Sequence, residues 1–496
     1  MIKEKNINDF KLIGIIFGVV ILFVSLLLPY NYCSDYYNLK IDGYTDYANY
    51  WFASSGRTVG MATLYLFDYL NVEIEAFVII MKILAILIAT ITIYTFINMV
   101  YSKLDSRNEN ITKKKKILVV VASLLVFLNM GGYQFFYYSE SAIMWLSVLL
   151  TVLAVKHTID KNNKLRFIKG FLLLFVAMNC YQSTILLYIP AALLFVGIDK
   201  ENRKELIKET IKLCVLVALC FICGYAIIQG LIYLFNIEPF RDNTLTISLE
   251  SFIDSIVRLL FLNYEKDPNY FYAIIYLILF VISKSLDKRW FKNDKSVSNL
   301  ILFFVIASAF FQIVVVVALV QFYIADRIVF AYFAVLGLIF LYYLMYTDIF
   351  KNNRLLEMAI ILATIYLCYM IIKAGNISVL NRYARYMDSV EGYSIVREIK
   401  DYENASKCKV TKIVYCMDES TEHDWPGLKV VGDPTYRIFA GEWVIKSAVE
   451  YYSGNKIESC IKNQYAHEQI FNLKNWDSFD EEQIEFDGDT MYFCMY

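Results

Sequence analysis

The sequence predicts an α-helical polytopic membrane protein with about eleven hydrophobic helices. A small C-terminal extramembrane domain of α/β or α+β type is expected to follow. Three observations carry this reading. Hydrophobic residues fill 58% of the 496 positions, the mean hydropathy is +0.48, and only 19% of residues are charged. A soluble domain is about half apolar and a quarter charged, so this chain has more apolar surface than one water-soluble core can hide. The apolar residues also come in long runs, and a helix needs ~20 of them to cross the hydrocarbon. After residue 375 the runs stop and the composition turns polar.

In order, the apolar runs are 12–30, 76–100, 117–130, 136–156, 168–180, 181–197, 210–234, 270–283, 298–320, 326–346 and 356–374. Two are short, and 168–197 reads as a helical hairpin or as one long tilted helix. The first run follows Lys3, Lys5 and Lys11 in the manner of a signal peptide. No small-residue cleavage site follows Pro29, so the run is expected to remain as an anchor. Tyr occurs 40 times, and its ring favours the boundary between lipid and water.

The loops give an orientation. Lys113 to Lys116 form one basic run, and Lys161, Lys164, Arg166 and Lys169 a second. Lys200, Arg203, Lys204 and Lys208 form a third, and Lys284, Lys288, Arg289, Lys292 and Lys295 a fourth. The alternate loops are poor in positive charge: Lys40 and Arg57 in 31–57, none in 130–135, and Arg241, Arg258 and Lys266 in 235–269. The positive-inside rule then predicts a cytoplasmic N-terminus. With 168–197 counted as two passes, the C-terminal region lies outside the cytoplasm. Abundant Lys, Ile, Asn and Tyr suggest an AT-rich bacterial genome, hence a bacterial cytoplasmic membrane.

Residues 1–375 are expected to form the membrane domain and 376–496 the extracytoplasmic domain. In the latter, Val410, Ile413, Val414 and Tyr415 suggest a strand, and Trp443, Ile445, Ala448, Val449 and Tyr452 fit one face of a helix. Cys408, Cys416, Cys460 and Cys494 lie here, and on the oxidising side of a membrane they could form two disulfides. Cys180, Cys214, Cys220, Cys223 and Cys368 lie in apolar runs, where cysteine acts as a small hydrophobe.

Several chemistries are disfavoured. The net charge of −1 does not suggest nucleic acid as a partner. Cys220 and Cys223 form a single CxxC pair inside an apolar run, no second pair accompanies it, and only His157, His423 and His467 occur, which argues against a zinc site. The cofactor is left open, a divalent cation included. The cytoplasmic loops are too short for a nucleotide-binding domain, and no GxGxxG or P-loop pattern appears. A reaction should therefore use a membrane-borne or external substrate.

The polar residues of interest gather at the predicted external ends of helices. The first external loop contains Asp42, Asp46, Trp51 and Gly56-Arg57. On a continuous helix Asp42 and Asp46 would share one face. Among aromatics a carboxylate can have a raised pKa and act as a general base. A guanidinium at Arg57 can bind a lipid phosphate bidentately. The same segment also fits an interfacial amphipathic stretch with ordinary aromatic anchors. Glu140 is read about one turn inside an apolar helix, a costly place without a cavity or a partner. Tyr181-Gln182 sits where 168–197 would break, and Asp326-Arg327 opens a later run. Helix–helix hydrogen bonding by Gln182 and snorkelling by Arg327 are equally ordinary explanations.

At these residues the chain resembles the Gtr-type bacterial glucosyltransferases, membrane enzymes of GT-C-like architecture. That family has an acidic residue or pair in its first external loop, an aromatic residue, then Gly-Arg opening the second helix. Asp42 or Asp46, Trp51 and Gly56-Arg57 are similar. Phe135, Phe136 and Glu140 resemble a Phe-rich stretch with Glu. Tyr181-Gln182 resembles a mid-chain pair, Arg327 a late arginine, and Asn381, Arg382 and Asp388 a post-membrane segment. The adjacent Asp-Asp pair of the family is missing, no proline follows Arg57, and the C-terminal domain has no counterpart.

The resemblance implies a glycosyltransferase that moves a sugar, glucose by analogy, from a polyprenyl-phosphate carrier to a surface glycan on the outer face of the membrane. It implies a single displacement with Asp42 or Asp46 as base and Glu140 as the next candidate. Arg57 and Arg327 would hold the phosphate, and Tyr181, Gln182 and Trp51 would contribute to the donor site. Membrane lipid is a further partner.

Two other readings compete: a polysaccharide polymerase or ligase, and a non-enzymatic transporter. Carriers usually place ionisable groups near the bilayer midplane. Here Lys82 is the main charge within a run, and it is expected to snorkel outward. The lysine asymmetry is directly testable by cysteine-accessibility labelling. Positions in 101–116, 157–167 and 285–296 should label from the cytoplasm, and those in 31–57 and 376–496 from outside. Labelling of 376–496 from the cytoplasm alone would overturn the orientation.

Overall fold

The computed structural model describes residues 2–25, 33–106, 111–197, 202–236, 270–319, 325–418, 433–439, 441–476 and 478–495, without the side chains of 2–8, 51, 54, 270–271 and 312–319. The end of the first apolar run, nearly all of the 235–269 loop with Arg241, Arg258 and Lys266, and also Lys200 and His423, lie outside the described residues. The chain packs into two compact units. The first comprises Met1–Ser25, Ala48–Phe136 and Glu140–Ala374; the second comprises Leu26–Tyr47, Tyr137–Ser139 and Gly375–Tyr496.

In the first unit the apolar runs become helices of unequal length. Ile74–Asp105, Ser141–Ile159, Arg203–Phe235 and Asn353–Ser406 are long and apolar enough to cross a membrane. A fifth candidate is the pair Lys113–Phe127 and Met130–Tyr137, bent by 57°. Four more described apolar stretches, among them Gln182–Val196 and Phe330–Tyr346, are shorter. Phe330–Tyr346 is apolar on every side and buried along almost its whole length, as expected of a central helix. It packs against Lys113–Phe127 through Gly337. A Cβ there would lie 2.5 Å from the Ala122 carbonyl oxygen and 2.7 Å from the Val126 nitrogen.

The 168–197 segment breaks where it was expected to. Arg166–Cys180 stops at Tyr181, whose backbone is extended, and a short 3-10 turn, Gln182–Leu187, leads into Tyr188–Val196. Carbonyls released by such a break cannot be left bare in an apolar interior. Ser147 Oγ lies 2.7 Å from the Ala177 carbonyl and 3.0 Å from that of Tyr181, to which Thr184 Oγ1 also donates. Lys82 departs from the snorkelling expectation: it is buried, at 2% exposure, inside the long helix Ile74–Asp105. Glu140 is also placed differently. It is the N-cap of Ser141–Ile159 rather than a residue one turn inside a helix.

The second unit is built on a four-stranded sheet. Its strands are β1 (Lys412–Met417), β2 (Ser459–Lys462), β3 (Ile484–Asp487) and β4 (Thr490–Met495). The order is β2-β1-β4-β3, parallel between β1 and both its neighbours and antiparallel between β3 and β4. Gly488-Asp489 turns β3 into β4, and Gly488 takes φ 57°, the left-handed conformation a tight hairpin needs. Helix Ile445–Ser453 buries Ile445, Ala448 and Val449. Trp443 is not on that buried face: it precedes the helix and is 43% exposed.

No disulfide joins any of the ten cysteines. Cys416 stands opposite Cys494 in the β1–β4 register, whereas Cys460 stands opposite Ile413; the two disulfides that the sequence allowed here are absent. Residues distant in sequence also join this unit. Helix Ser34–Tyr47 brings Tyr37, whose hydroxyl lies 3.3 Å from that of Tyr452 and whose ring packs edge-on against Tyr451.

Gly337→Ala should force the two packed helices of the first unit apart. Overpacking of this kind costs roughly 1–3 kcal/mol, so the purified variant should melt at lower temperature than the parent in the same detergent. An unchanged melting temperature would contradict the close approach.

Candidate functional site

Two of the helix breaks described in the first unit, at Gly56 and at Tyr181, set polar side chains against their neighbours. Gly56, with φ 69°, ends the short helix Ala53–Ser55, and Arg57 becomes the N-cap of Thr58–Tyr69. The Arg57 guanidinium lies 4.9 Å from the Tyr181 ring centroid and 5.7 Å from that of Phe52, within cation–π range. Its Nη1 is 3.4 Å from Glu140 Oε1. Glu140 is only 4% exposed, and a carboxylate so placed needs a cation to be tolerated. Glu140 Oε2 and Arg57 Nε are buried without a hydrogen-bond partner.

The Tyr181 break reaches two arginines. Gln182 Nε2 donates to the Ser55 carbonyl, two residues before Arg57. Thr58 Oγ1 donates to Asn179 Oδ1 at 2.8 Å. On the other side Ser183 Oγ donates to the Arg327 carbonyl at 2.9 Å. Gln134 Oε1 accepts from the Arg327 backbone nitrogen at 3.2 Å and from its Nη1 at 3.4 Å. Gly131 permits this approach, because a Cβ there would lie 2.6 Å from the Asp326 carbonyl oxygen. The Arg327 charge also acts on Glu140. Five residues singled out in the sequence, Arg57, Glu140, Tyr181, Gln182 and Arg327, are thus brought together. Two guanidinium groups in an apolar unit can neutralise an anion such as a phosphate.

Asp42 and Asp46 belong to the second unit. They do not share a helix face, because Gly43 between them has φ 74° and ψ 176° and kinks the helix. Asp42 stays exposed, yet nearby protein strips part of its hydration. That desolvation raises its carboxyl above the ordinary range; the Lys446 charge opposes the rise, and Glu450 and Asp46 add to it. The Trp51 backbone lies in a π-helical turn, Ala48–Phe52, while its side chain is outside the description. In the post-membrane segment the arginine beside Asp388 is Arg385, at 3.0 Å, and not Arg382, which is exposed. Asn381, Arg385 and Asp388 follow helical spacing, a signal the pattern Asn381-Arg382 concealed. Among the described residues no group of three His, Cys, Asp or Glu could hold a metal ion.

A family model, Glucosyl transferase GtrII, matches residues 25–344. The chain belongs to the GtrII glucosyltransferase family. It is therefore a membrane glycosyltransferase, an enzyme that uses a sugar donor and a glycan acceptor. Asp42, Asp46, Arg57, Glu140, Tyr181, Gln182 and Arg327 all fall inside the matched region, and 345–496 fall outside it. No curated protein and no solved structure matches the chain. Gln134, Asn179 and Ser183 are the contacts of this glucosyltransferase that sequence reasoning missed. Isolated polar residues in apolar runs carry no partner information until the fold is known.

The Arg57–Glu140 pair separates folding from chemistry. Glu140→Leu alone leaves a partly buried guanidinium unpaired, a change that typically costs about 3–5 kcal/mol. The melting temperature of purified Glu140→Leu should fall. The double variant Arg57→Met/Glu140→Leu should recover most of that loss while glucosyl transfer stays abolished. Restored transfer in the double variant would assign the pair a structural role alone.

Proposed function

We propose that this glucosyltransferase moves glucose from a polyprenyl-phosphate carrier to a cell-surface polysaccharide or related glycan on the outer face of the bacterial cytoplasmic membrane. The observation that carries the reading is the pairing of Arg57 with the buried Glu140, with Arg327 acting on the same carboxylate. Two arginines anchored in an apolar unit suit a donor whose phosphate is attached to lipid. The absence of a nucleotide-binding motif in the sequence agrees with a donor that arrives through the membrane.

The reaction is a single displacement. An acceptor hydroxyl oxygen forms a bond to the anomeric carbon as the bond from that carbon to the phosphate oxygen breaks. The electron pair leaves with the lipid phosphate, and the hydroxyl proton passes to a carboxylate. Arg57 and Arg327 offset the charge that grows on the departing phosphate, and Arg57 offers the planar fork an ammonium cannot reproduce. Tyr181 and Gln182 hold Arg57 and its neighbouring turn, and Trp51 contributes an aromatic surface for the donor. Asp42 is favoured over Asp46 as the proton acceptor, because partial desolvation raises its basicity. Glu140, committed to Arg57, is the third candidate.

The assignment is tested by transfer from polyprenyl-phosphate glucose with Asp42→Asn, Asp46→Asn and Glu140→Gln at matched expression. Loss of a general base costs roughly 10²–10⁴-fold in rate. Asp42→Asn should show a loss of that order and Asp46→Asn a much smaller one. If both keep near-normal turnover, the first external loop does not carry the base. The base must be ionised to work, so a raised pKa moves the acid limb of the pH–rate profile above the ordinary aspartate range. Lys446→Gln removes the opposing charge and should move that limb higher still. A limb unmoved by Lys446→Gln would count against Asp42.

A further inference from the structure

The GtrII match ends at residue 344, so it does not account for the second unit's sheet or for the helix beside Asp42. One seam of this unit has the chemistry of a saccharide site. Asn38 and Asp42 lie one turn apart on helix Ser34–Tyr47. Opposite them, Asn38 Nδ2 donates to the Trp443 carbonyl at 3.4 Å, and the Lys446 and Glu450 charges reach Asp42. Trp443 and Lys446 are three residues apart at the entry to helix Ile445–Ser453. Asn38, Asp42, Trp443 and Lys446 therefore border one seam.

Trp443 is built as a platform. The Tyr436 ring stacks on it at 20° with centroids 5.7 Å apart. Arg385 Nη2 donates to the Tyr436 carbonyl, fixing the backing residue. Trp443 nevertheless stays 43% exposed. A large aromatic residue held rigid from behind and open in front costs little entropy on binding. The apolar C–H face of a pyranose ring fits such a surface, and its hydroxyls can meet flanking charged groups. Asp42 and Lys446 are those groups here. A membrane anchor fits less well, because the residue before Trp443, Glu442, is ion-paired to Lys462 and the seam carries the charges of Asp42 and Lys446.

We propose that Trp443, backed by Tyr436 and flanked by Asp42 and Lys446, is the platform on which a pyranose ring of the acceptor glycan stacks. This rests on the reading of the chain as a transferase to a surface glycan, and it names the second unit as the part that selects the acceptor. The platform contributes to acceptor binding and takes no part in releasing glucose from the donor.

The test uses the full-length protein in nanodiscs, polyprenyl-phosphate glucose as donor, and surface polysaccharide from the source cells as acceptor. Trp443→Ala should raise the half-saturating polysaccharide concentration about tenfold, the scale of one lost aromatic contact. Trp443→Phe should stay near the parent, and slow donor hydrolysis to water should be unchanged in both. An unchanged half-saturating concentration in folded Trp443→Ala would refute the platform. So would an equal fall in transfer and hydrolysis, which marks a structural role, or a defect seen in vesicles and absent in detergent, which marks a membrane anchor. If the parent protein neither transfers nor hydrolyses the donor, the proposed reaction fails by itself. Co-sedimentation of the polysaccharide with parent and Trp443→Ala nanodiscs then still decides the platform: equal binding rules it out, and weaker binding by the variant supports it.

Discussion

Backbone polar groups cannot go unpaired in an apolar interior, and most of the first unit's polar architecture follows from that demand. A helix that stops inside such a unit frees carbonyls and amides that must find new partners. The chain stops helices at Gly56, at Leu128 to Asn129, at Ser139 to Glu140 and at Tyr181. Two of these breaks show how the demand is met. Asn129 shows the local solution, because its side chain donates to the Val126 carbonyl at 3.0 Å and accepts from the Gly132 nitrogen at 3.1 Å. Ser147 shows the solution across helices. The hydrogen bonds that repair the breaks also hold Arg57, Glu140 and Gln182 in place.

Buried charge is managed in the same way in both units. In the first, Glu140 is matched by Arg57. In the second, Arg437 Nη2 lies 2.6 Å from Glu391 Oε2, and Arg385 Nη1 lies 3.0 Å from Asp388 Oδ2. Asp388 Oδ1 also accepts from the Ile438 nitrogen at 3.1 Å. Removing one member of such a pair costs more than the pair contributes in net stability, because the survivor is left charged and dry. The second network joins the continuation of helix Asn353–Ser406 to the segment before Trp443. It thereby orders the strip of chain that supports Tyr436.

The family match and the two structural units do not coincide. The family-matched region contains the arginines, the buried carboxylate and the helix breaks. The sheet and the exposed indole lie beyond it. Helix Ser34–Tyr47 is the exception, since it is family-matched in sequence but packs within the second unit. Asp42 therefore combines a family position with surroundings specific to this chain, among them Lys446 and Glu450.

Hydropathy alone determined that the chain is helical and membrane-embedded, because runs of apolar residues leave no other way to satisfy the backbone in lipid. Short motifs in a fixed order were enough to reach the glucosyltransferase family and to mark Arg57, Glu140, Tyr181, Gln182 and Arg327. The break at Tyr181-Gln182 was legible too, since a polar pair interrupts two apolar runs. Tertiary structure decided what depends on contacts distant in sequence. It put Glu140 at a helix start against Arg57, buried Lys82, paired Asp388 with Arg385, and left Trp443 half-exposed instead of on a buried helix face. It also separated Asp42 from Asp46, because a single glycine with positive φ cancels the one-face spacing that a continuous helix would impose. Periodicity and hydropathy report local preference and burial on average, whereas the partner of a particular charge is chosen by packing between segments that may be a hundred or more residues apart.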